Sequence, residues 1–478
     1  MKLIELAAGA LGEAGKAALL WIVIGVQLLA VFTVPSVLLR RRGRPTVAIA
    51  WLLSLFSLPL LGSLAWWTFG RTRIEKKKRK RVSKKRSFKA QRGSPEPVWG
   101  QTTFDHLLPA RAQVDSAFSS AGNRLELLGD GPSAFAALER AIAEATRSIH
   151  LLYYIYQDDE TGRRIAKSLI QKAQSGVTVR LLLDGFGSQS GTARLRKMLA
   201  AGGVQVAIFL PSPLNPLHAP RINFTNHRKI AVLDNCVGFT GGMNVGVEYE
   251  RHWRDLMLRV EGPAVSALNH VFLEDWYFAT DEAVFDPDRA AWEVPRSGSD
   301  VAVVASGPDT EAWIHDIYFL AITRAARRVW IVTPYFIPTS PITMALRTAA
   351  GRGLDVRIIV PRESDVNLVK WASRSYYRSL ISAGVRIFEY TGPMLHAKAL
   401  VVDDALSAVG SANIDSRSFG LSFEVSCFMD DQRLCSQIAD WVEALIPDAI
   451  EIDEPWLQDK PLLHKLAESA AHLLSPIL

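Results

Sequence analysis

The sequence predicts an α/β protein built from two similar halves, each a sheet with helices on its faces, behind an N-terminal pair of apolar helices. Three observations predict this. Two long uncharged apolar runs, Ala17–Leu39 and Thr46–Gly70, open the chain. Strand-like and helix-like segments then alternate in the same order twice, the pattern of helices layered on a sheet. Finally, the pattern H-x-K-x-x-x-x-D occurs twice, as His227–Asp234 and His396–Asp403.

Each apolar run exceeds the roughly 20 residues that cross a bilayer. The spans are expected at 17–39 and 46–70, giving a hairpin over 1–70. Trp66 and Trp67 close the second run, where aromatic side chains anchor at an interface. Pro35 and Pro59 are candidate kinks. Both runs are too long, and too closely spaced, for a cleaved signal peptide. Residues 71–122 read as a juxtamembrane segment and linker. Within it, Arg71–Lys89 carries twelve basic residues and one acid, Glu75, more positive charge than the chain's net +7. The remainder is therefore net acidic, which argues against a nucleic-acid partner. Next to membrane helices, the basic run reads as a contact to anionic lipid.

Orientation meets a conflict. Basic residues favour the cytoplasmic side. Both Arg71–Lys89 and the short connection carrying Arg40, Arg41, Arg42 and Arg44 ask for that side, and two full spans cannot give it to both. The larger block places the N-terminus and the catalytic domain inside. A kinked hairpin within the inner leaflet would satisfy both.

The first α/β half is expected over 123–290. A helix over 135–148 precedes a strand over 150–156, a helix over 163–175 and a strand over 177–184, before the first motif strand, 227–234. The second half, 300–447, repeats this with helices at 318–326, 343–352 and 373–383. Its strands fall at 329–335, 356–361 and 385–390, before the motif strand 396–403. The tail, 448–478, includes a helix-like stretch from Leu462 expected to pack on the core.

The doubled motif carries the chemistry. Side chains alternate along a strand, so each His and Lys share a face while Asp234 and Asp403 fall on the other. Those aspartates read as strand-end residues that fix a turn. Ten residues after each Asp stands an Asn, in Gly241-Gly242-Met243-Asn244 and Gly410-Ser411-Ala412-Asn413. Eleven residues after each Asn stands an acid, Asp255 or Glu424. An acid on one ring nitrogen fixes the tautomer of the other. Two such sets, brought together, offer a nucleophile, a proton donor, two lysines and two amides. That suits a phosphoryl centre, where positioning and charge stabilisation dominate. The three cysteines, Cys236, Cys427 and Cys435, form no metal or disulfide pattern, and no His or carboxylate cluster has ligand spacing.

The doubled H-x-K-x4-D followed by G-[GS]-x-N resembles the phospholipase D superfamily. The words Asn226-His227-Arg228-Lys229, Thr240-Gly241-Gly242-Met243-Asn244, Trp253-Arg254-Asp255, Asp275-Trp276, Thr333-Pro334-Tyr335-Phe336 and the closing Ser475-Pro476-Ile477-Leu478 are similar to the membrane-anchored cardiolipin synthases of bacteria. Gly242 departs from the pattern, in which Ser is common, as at Ser411. The resemblance implies two phospholipase D-like αβα domains packed with pseudo-two-fold symmetry. It implies a catalytic set of His227, Lys229, Asp234, His396, Lys398 and Asp403. Lys229, Lys398, Asn244, Asn413 and Ser411 would hold phosphate oxygens, with Asp255 and Glu424 orienting the histidines. The implied reaction joins two phosphatidylglycerols at an inner membrane, without cofactor or metal, through a covalent histidine intermediate on His227. Rival readings are a hydrolase on the same site, a phosphatidylserine synthase and a non-catalytic anionic-lipid scaffold.

Overall fold

The computed structural model describes residues 13–40, 45–67, 81–88, 90, 102–104, 117–188, 192–210, 224–284, 298–473 and 475. The described residues form two compact units, the N-terminal helices and the chain from 81 onward. Most of the basic run, 71–80, and the last three residues lie outside the described residues.

In the N-terminal unit, α1 (Glu13–Arg40) continues through Pro35. Its Leu20–Arg40 stretch has a mean hydropathy of 2.4 over its most apolar window and is long enough to cross a bilayer. The second expected span is not one helix. It is divided into α2 (Pro45–Ser57) and α3 (Pro59–Ala65). Pro59 removes an N–H and disfavours the helical conformation at the residue before it; Leu58 takes φ −135° and ψ 70°. The chain then folds back on itself. A Cβ on Gly62 would stand 2.5 Å from the Ser54 carbonyl oxygen, so only glycine permits this approach. The buried Trp66 ring meets Trp51 edge-on at 5.2 Å. The indole N–H groups of Trp66 and Trp67 donate to Ser36 Oγ and Thr33 Oγ1 of α1, both at 3.1 Å. A straight helix would separate Trp51 from Trp66 by about 22 Å.

The larger unit is organised around one fifteen-stranded sheet. The first half contributes β1 (Ala117–Leu128), β2 (Ser148–Tyr153), β3 (Thr178–Asp184), β4 (Gln205–Phe209), β5 (Ile230–Leu233), β6 (Val237–Gly241) and β7 (Met257–Glu261). The second contributes β8 (Ser299–Ser306), β9 (Arg328–Val332), β10 (Asp355–Pro361), β11 (Arg386–Tyr390), β12 (Ala399–Val402), β13 (Leu406–Gly410), β14 (Glu424–Asp430) and β15 (Ala449–Ile452). Antiparallel pairing of β1 with β8 makes the seam. Outward from it the order is β1-β7-β6-β5-β2-β3-β4 on one side and β8-β14-β13-β12-β9-β10-β11 on the other, so the halves match strand for strand. β15 adds one antiparallel edge. β1 begins inside the stretch read as linker and supplies the seam itself.

Helices connect the parallel strands and cover the sheet. In the first half these include α4 (Gly131–Glu144) and α5 (Glu160–Gln174). Both start earlier than the apolar pattern suggests, because Asp130 and Asp159 cap them by accepting from Ser133 N and Gly162 N at 2.7 and 2.8 Å. After the last strand of the first half comes α6 (Ala264–Thr280), buried along most of its length. The second half places α7 (Asn367–Ile381) beside the tail helix α8 (Leu462–His472). Each half has its own apolar core: Leu151, Ile165, Leu181 and Leu233 in the first, Ile331, Leu346, Ile358 and Leu400 in the second. One face of α8 packs on α7, with Ala471 among Ile337, Val369 and Ala372. Its Leu462, Leu463, Leu466 and Leu473 remain exposed, so core packing accounts for only part of this helix.

The fold-back of α3 has a direct test. Cysteines replacing Trp51 and Trp66 should cross-link with a short bis-maleimide in membranes. A straight second span would leave them beyond its reach.

Candidate active site

The motif strands are shorter than the sequence pattern suggests. β5 starts at Ile230 and β12 at Ala399, three residues after each histidine. His227, Lys229, His396 and Lys398 therefore lie on extended lead-ins, whose backbones pair across the seam. His227 N donates to Phe423 O, and Phe423 N to Thr225 O, both at 2.9 Å. Reciprocally, His396 N donates to Arg254 O and Arg254 N to Met394 O, both at 2.8 Å. The next residue after Phe423 is Glu424, and the next after Arg254 is Asp255. Each lead-in thus runs beside the acid of the opposite half.

The acids are consequently exchanged. Glu424 places its carboxylate oxygens 3.1 and 3.2 Å from His227 Nδ1. Asp255 Oδ2 lies 2.7 Å from His396 Nδ1. The Ser411 carbonyl stands 3.1 Å from His227 Nδ1, so every one of these neighbours is an acceptor. The proton of a neutral His227 therefore sits on Nδ1, leaving the Nε2 lone pair available. Tyr154 packs edge-on to His227 at 5.0 Å, and Trp253 packs on His396 at the same distance. Tyr249, from a short π-turn, completes the wall beside His396.

Burial dominates the electrostatics. It lowers the His227 pKa against the opposing charge of Glu424. Burial, reinforced by Lys398, pushes His396 down to about 3 despite Asp255. Lys398 is pushed down to about 8, and Lys229 well below its ordinary value by burial and by Lys398. The ammonium of Lys229 donates to His227 O at 2.7 Å, and that of Lys398 donates to His396 O. Such a site favours an anion, which would offset both lysines and let a histidine hold a proton.

The remaining candidates divide. Asn244 Oδ1 accepts from Ile155 N at 3.0 Å, which fixes its amide. Asn413 Oδ1 is buried without a hydrogen-bond partner, so that amide can turn toward a ligand. The Ser411 hydroxyl donates to Glu424 Oε2 and accepts from Val425 N at 3.0 Å. Its proton is engaged by the acid, so the structure gives it an orienting rather than a phosphate-holding contact. Gly242 has a matching reason: a Cβ there would stand 2.1 Å from Asp255 Oδ1. The shorter acid presses against glycine in one half, and the longer acid meets serine in the other. Asp234 and Asp403 stand apart from the reacting groups. Asp234 accepts from Thr146 N, Arg147 N and Ser148 N at 2.7, 2.7 and 2.8 Å. Asp403 binds Ala326 N, Arg327 N and Arg328 N in the same way. Both have φ 53°, a left-handed turn that aspartate tolerates. Among the described residues, no group of three His, Cys, Asp or Glu side chains could hold a metal.

Sequence reasoning missed the residues that hold the first lead-in. Asp184, at the end of β3, accepts from Asn226 N at 2.7 Å, and burial lifts its carboxyl to about 6. Asp275 Oδ2 takes Asn226 Nδ2 at 2.8 Å and Arg228 Nη1 at 2.6 Å. Arg228 also donates to Glu424 O and Ser306 O, at 3.1 and 3.2 Å, in the second half. A usable signal existed for Asp184, an acid ending a predicted parallel strand.

Fold and site together define a two-histidine protein of the phospholipase D kind. A family model described as "Cardiolipin synthase, PLD-like domain" matches residues 138–276 and again 318–446. One described as "Phospholipase_D-nuclease N-terminal" matches 28–71. A cardiolipin synthase of Geobacillus kaustophilus is 37% identical over 461 residues, covering 91% of this chain and 89% of that one. The major cardiolipin synthase of Bacillus subtilis is 36% identical, covering 94% and 99%. The crystal structure of a phosphatidylserine synthase from Haemophilus influenzae shares the fold, with TM-score 0.57 and 16% identity over 78% of this chain and 96% of that one. The chain belongs to the cardiolipin synthase family of phospholipase D-like proteins.

The buried charges predict the pH profile of kcat/KM, which reports groups of the free enzyme. The acid limb should lie below 6.5, where His227 becomes protonated, and the alkaline limb no higher than about 8, where the lysine pair loses charge. Glu424 raises both pKa values, so Glu424→Gln should move both limbs to lower pH and reduce kcat by about 100-fold or more. Unmoved limbs would show that Glu424 does not act on these groups.

Proposed function

We propose that the protein joins two phosphatidylglycerol molecules into cardiolipin and releases glycerol. The observation that carries this reading is the reciprocal site itself: two intact histidine–lysine pairs, each histidine held by the other half's acid, in a chain of the cardiolipin synthase family.

The first phosphatidylglycerol places its phosphodiester between the histidines. His227 Nε2 attacks phosphorus, a P–N bond forms and the P–O bond to the glycerol headgroup breaks. His396, carrying a proton in the anion-loaded site, gives it to the leaving oxygen, and glycerol departs. The terminal hydroxyl of a second phosphatidylglycerol then attacks phosphorus. His396 takes its proton, the P–N bond breaks, and His227 is regenerated with cardiolipin released. Lys229 and Lys398 stabilise the non-bridging oxygens, with the Asn413 amide turned toward them and Asn244 bracing the neighbouring loop. The acid–base cycle balances without a redox cofactor. The net acidic catalytic region and the apolar anchor favour lipid over nucleic acid as substrate.

The protein is membrane-associated through its N-terminal helices. We infer one full crossing, α1, followed by a re-entrant α2–α3 hairpin, in place of two full spans. The fold-back returns Trp66 and Trp67 to the level of Ser36 and Thr33, near the end of α1 at Arg40. The chain then leaves the bilayer on the side it entered. On this reading the connection after α1 and the segment after α3 share one face, which would remove the charge conflict between their basic residues. That face is cytoplasmic and carries the catalytic unit by continuity of the chain; the N-terminus lies on the other.

Two measurements test these readings. Purified protein with phosphatidylglycerol alone should yield cardiolipin and equimolar glycerol; phosphatidic acid instead would make it a hydrolase. In a Cys236→Ser background, Gly43→Cys should react with an impermeant maleimide only after cells are opened, and Lys2→Cys should react in intact cells. Labelling of Gly43→Cys from outside would exclude the re-entrant arrangement.

A further inference from the structure

By its composition and place next to the membrane helices, the basic run is expected to contact anionic lipid. Residues 81–88, the part described, are helical and built into the catalytic unit. Lys84 Nζ pairs with Asp281 at 2.5 Å, and Lys85 Nζ stands 3.5 Å from Glu274. Arg81 goes further. Its side chain is 3% exposed and enters a cage of three acids. Nη2 lies 2.9 Å from Glu274 Oε1 and 2.5 Å from Asp275 Oδ1. Nη1 donates to Glu274 O at 3.1 Å, and Nε to Asp309 Oδ2 at 3.3 Å. The rings of Phe209, Phe278 and Phe423 flank the guanidinium at 5.8, 4.8 and 5.3 Å. A surface contact for lipid needs none of this.

The partners of Arg81 span the seam. Phe209, Glu274, Asp275 and Phe278 belong to the first half, Asp309 and Phe423 to the second. Asp275 gives one oxygen to Arg81 and the other to Asn226 and Arg228, the residues on either side of His227. Phe423 accepts the backbone N–H of His227 and precedes Glu424. One guanidinium therefore reaches both supports of the nucleophile: the carboxylate that fixes the lead-in, and the segment that delivers its orienting acid. Only arginine offers a planar fork of five donors for such a cage.

We propose that Arg81, supplied by the segment leaving the membrane, is a positioning residue for His227 that locks the two halves at the seam. The inference rests on the phosphodiester-exchange reading above. Removing the guanidinium leaves Glu274 and Asp309 underpaired in a buried site and frees Asp275 to shift toward Arg228. The lead-in then moves relative to Glu424. Displacements on the order of 1 Å at a reacting group reduce turnover by about 100-fold.

The test compares Arg81→Met with Arg86→Met in the full-length protein in mixed micelles of phosphatidylglycerol. Arg86 is exposed and lies on the same helix, so both variants remove one charge from the basic run. Arg81→Met should lower kcat at least ~10-fold, with KM within about twofold, while Arg86→Met keeps wild-type turnover. Arg81→Gly should regain activity with added guanidinium, and Arg81→Lys should stay impaired. Equal, small effects of Arg81→Met and Arg86→Met, or failure of guanidinium to restore a folded Arg81→Gly, would overturn the proposal. If Arg81→Met does not fold, Arg81→Lys at wild-type turnover would overturn it as well. Cleavage of bis(p-nitrophenyl) phosphate, measured in parallel, separates the two readings. A wild type that makes no cardiolipin refutes the synthase assignment, while the ratio of variants on this diester still tests Arg81.

Discussion

Everything at the site depends on two short backbone pairings across the seam. Asn226 with Phe423 and Leu395 with Arg254 form single parallel β-bridges, in which His227 N donates to Phe423 O and His396 N to Arg254 O, each with a reciprocal hydrogen bond. They lie where the motif strands have not yet begun. Because each lead-in borrows its backbone partner from the other half, it also acquires the acid that follows that partner. The orienting carboxylates are exchanged as a consequence of pairing, and neither half has a complete histidine–acid dyad of its own. The β1–β8 seam, the Arg228 contacts to Glu424 and Ser306, and the Arg81 cage all hold the same registration.

Burial gives that registration its chemical force. Two histidines, two lysines and two acids are withdrawn from water together, where their mutual interactions are much stronger than at a surface. In the resting site burial favours neutral imidazoles and depresses both ammonium groups. A phosphodiester brings the negative charge that reverses those shifts. Binding and protonation are thereby linked: the ligand creates the acid that its own leaving group requires. Burial also explains the asymmetric pairing of Gly242 with Asp255 and of Ser411 with Glu424. Beside Asp255 a single extra atom at Gly242 would overfill the space, whereas beside Glu424 the Ser411 hydroxyl binds the carboxylate.

Much of the fold was legible because it depends on local pattern. The alternation of helix and strand, and the near-identical spacing of two motifs, sufficed to predict paired α/β halves. Boundaries slipped where capping overrode apolar periodicity, as at Asp130 and Asp159. The motif residues were legible because His, Lys, Asn and acid recur in register. Their pairing was not, since spacing alone cannot say which half an acid serves. Arg81 was hidden inside a run of like charges, where composition argues for solvent and only tertiary contacts reveal a cage. The second apolar run misled through its length: a proline inside an apolar stretch can as readily mark a reversal as a kink, and the decision lay in the packing of Gly62 on Ser54 and of Trp66 on Trp51.

We propose His227, the histidine held by Glu424 of the other half, as the nucleophile. Acid-quenching the enzyme during turnover with phosphatidylglycerol, followed by proteolysis and mass spectrometry, would locate the covalent adduct. A phosphatidyl group on His227, absent when Glu424 is replaced by Gln, is the result predicted. An adduct on His396, or a reaction that proceeds at full rate with no adduct on either histidine, would contradict it.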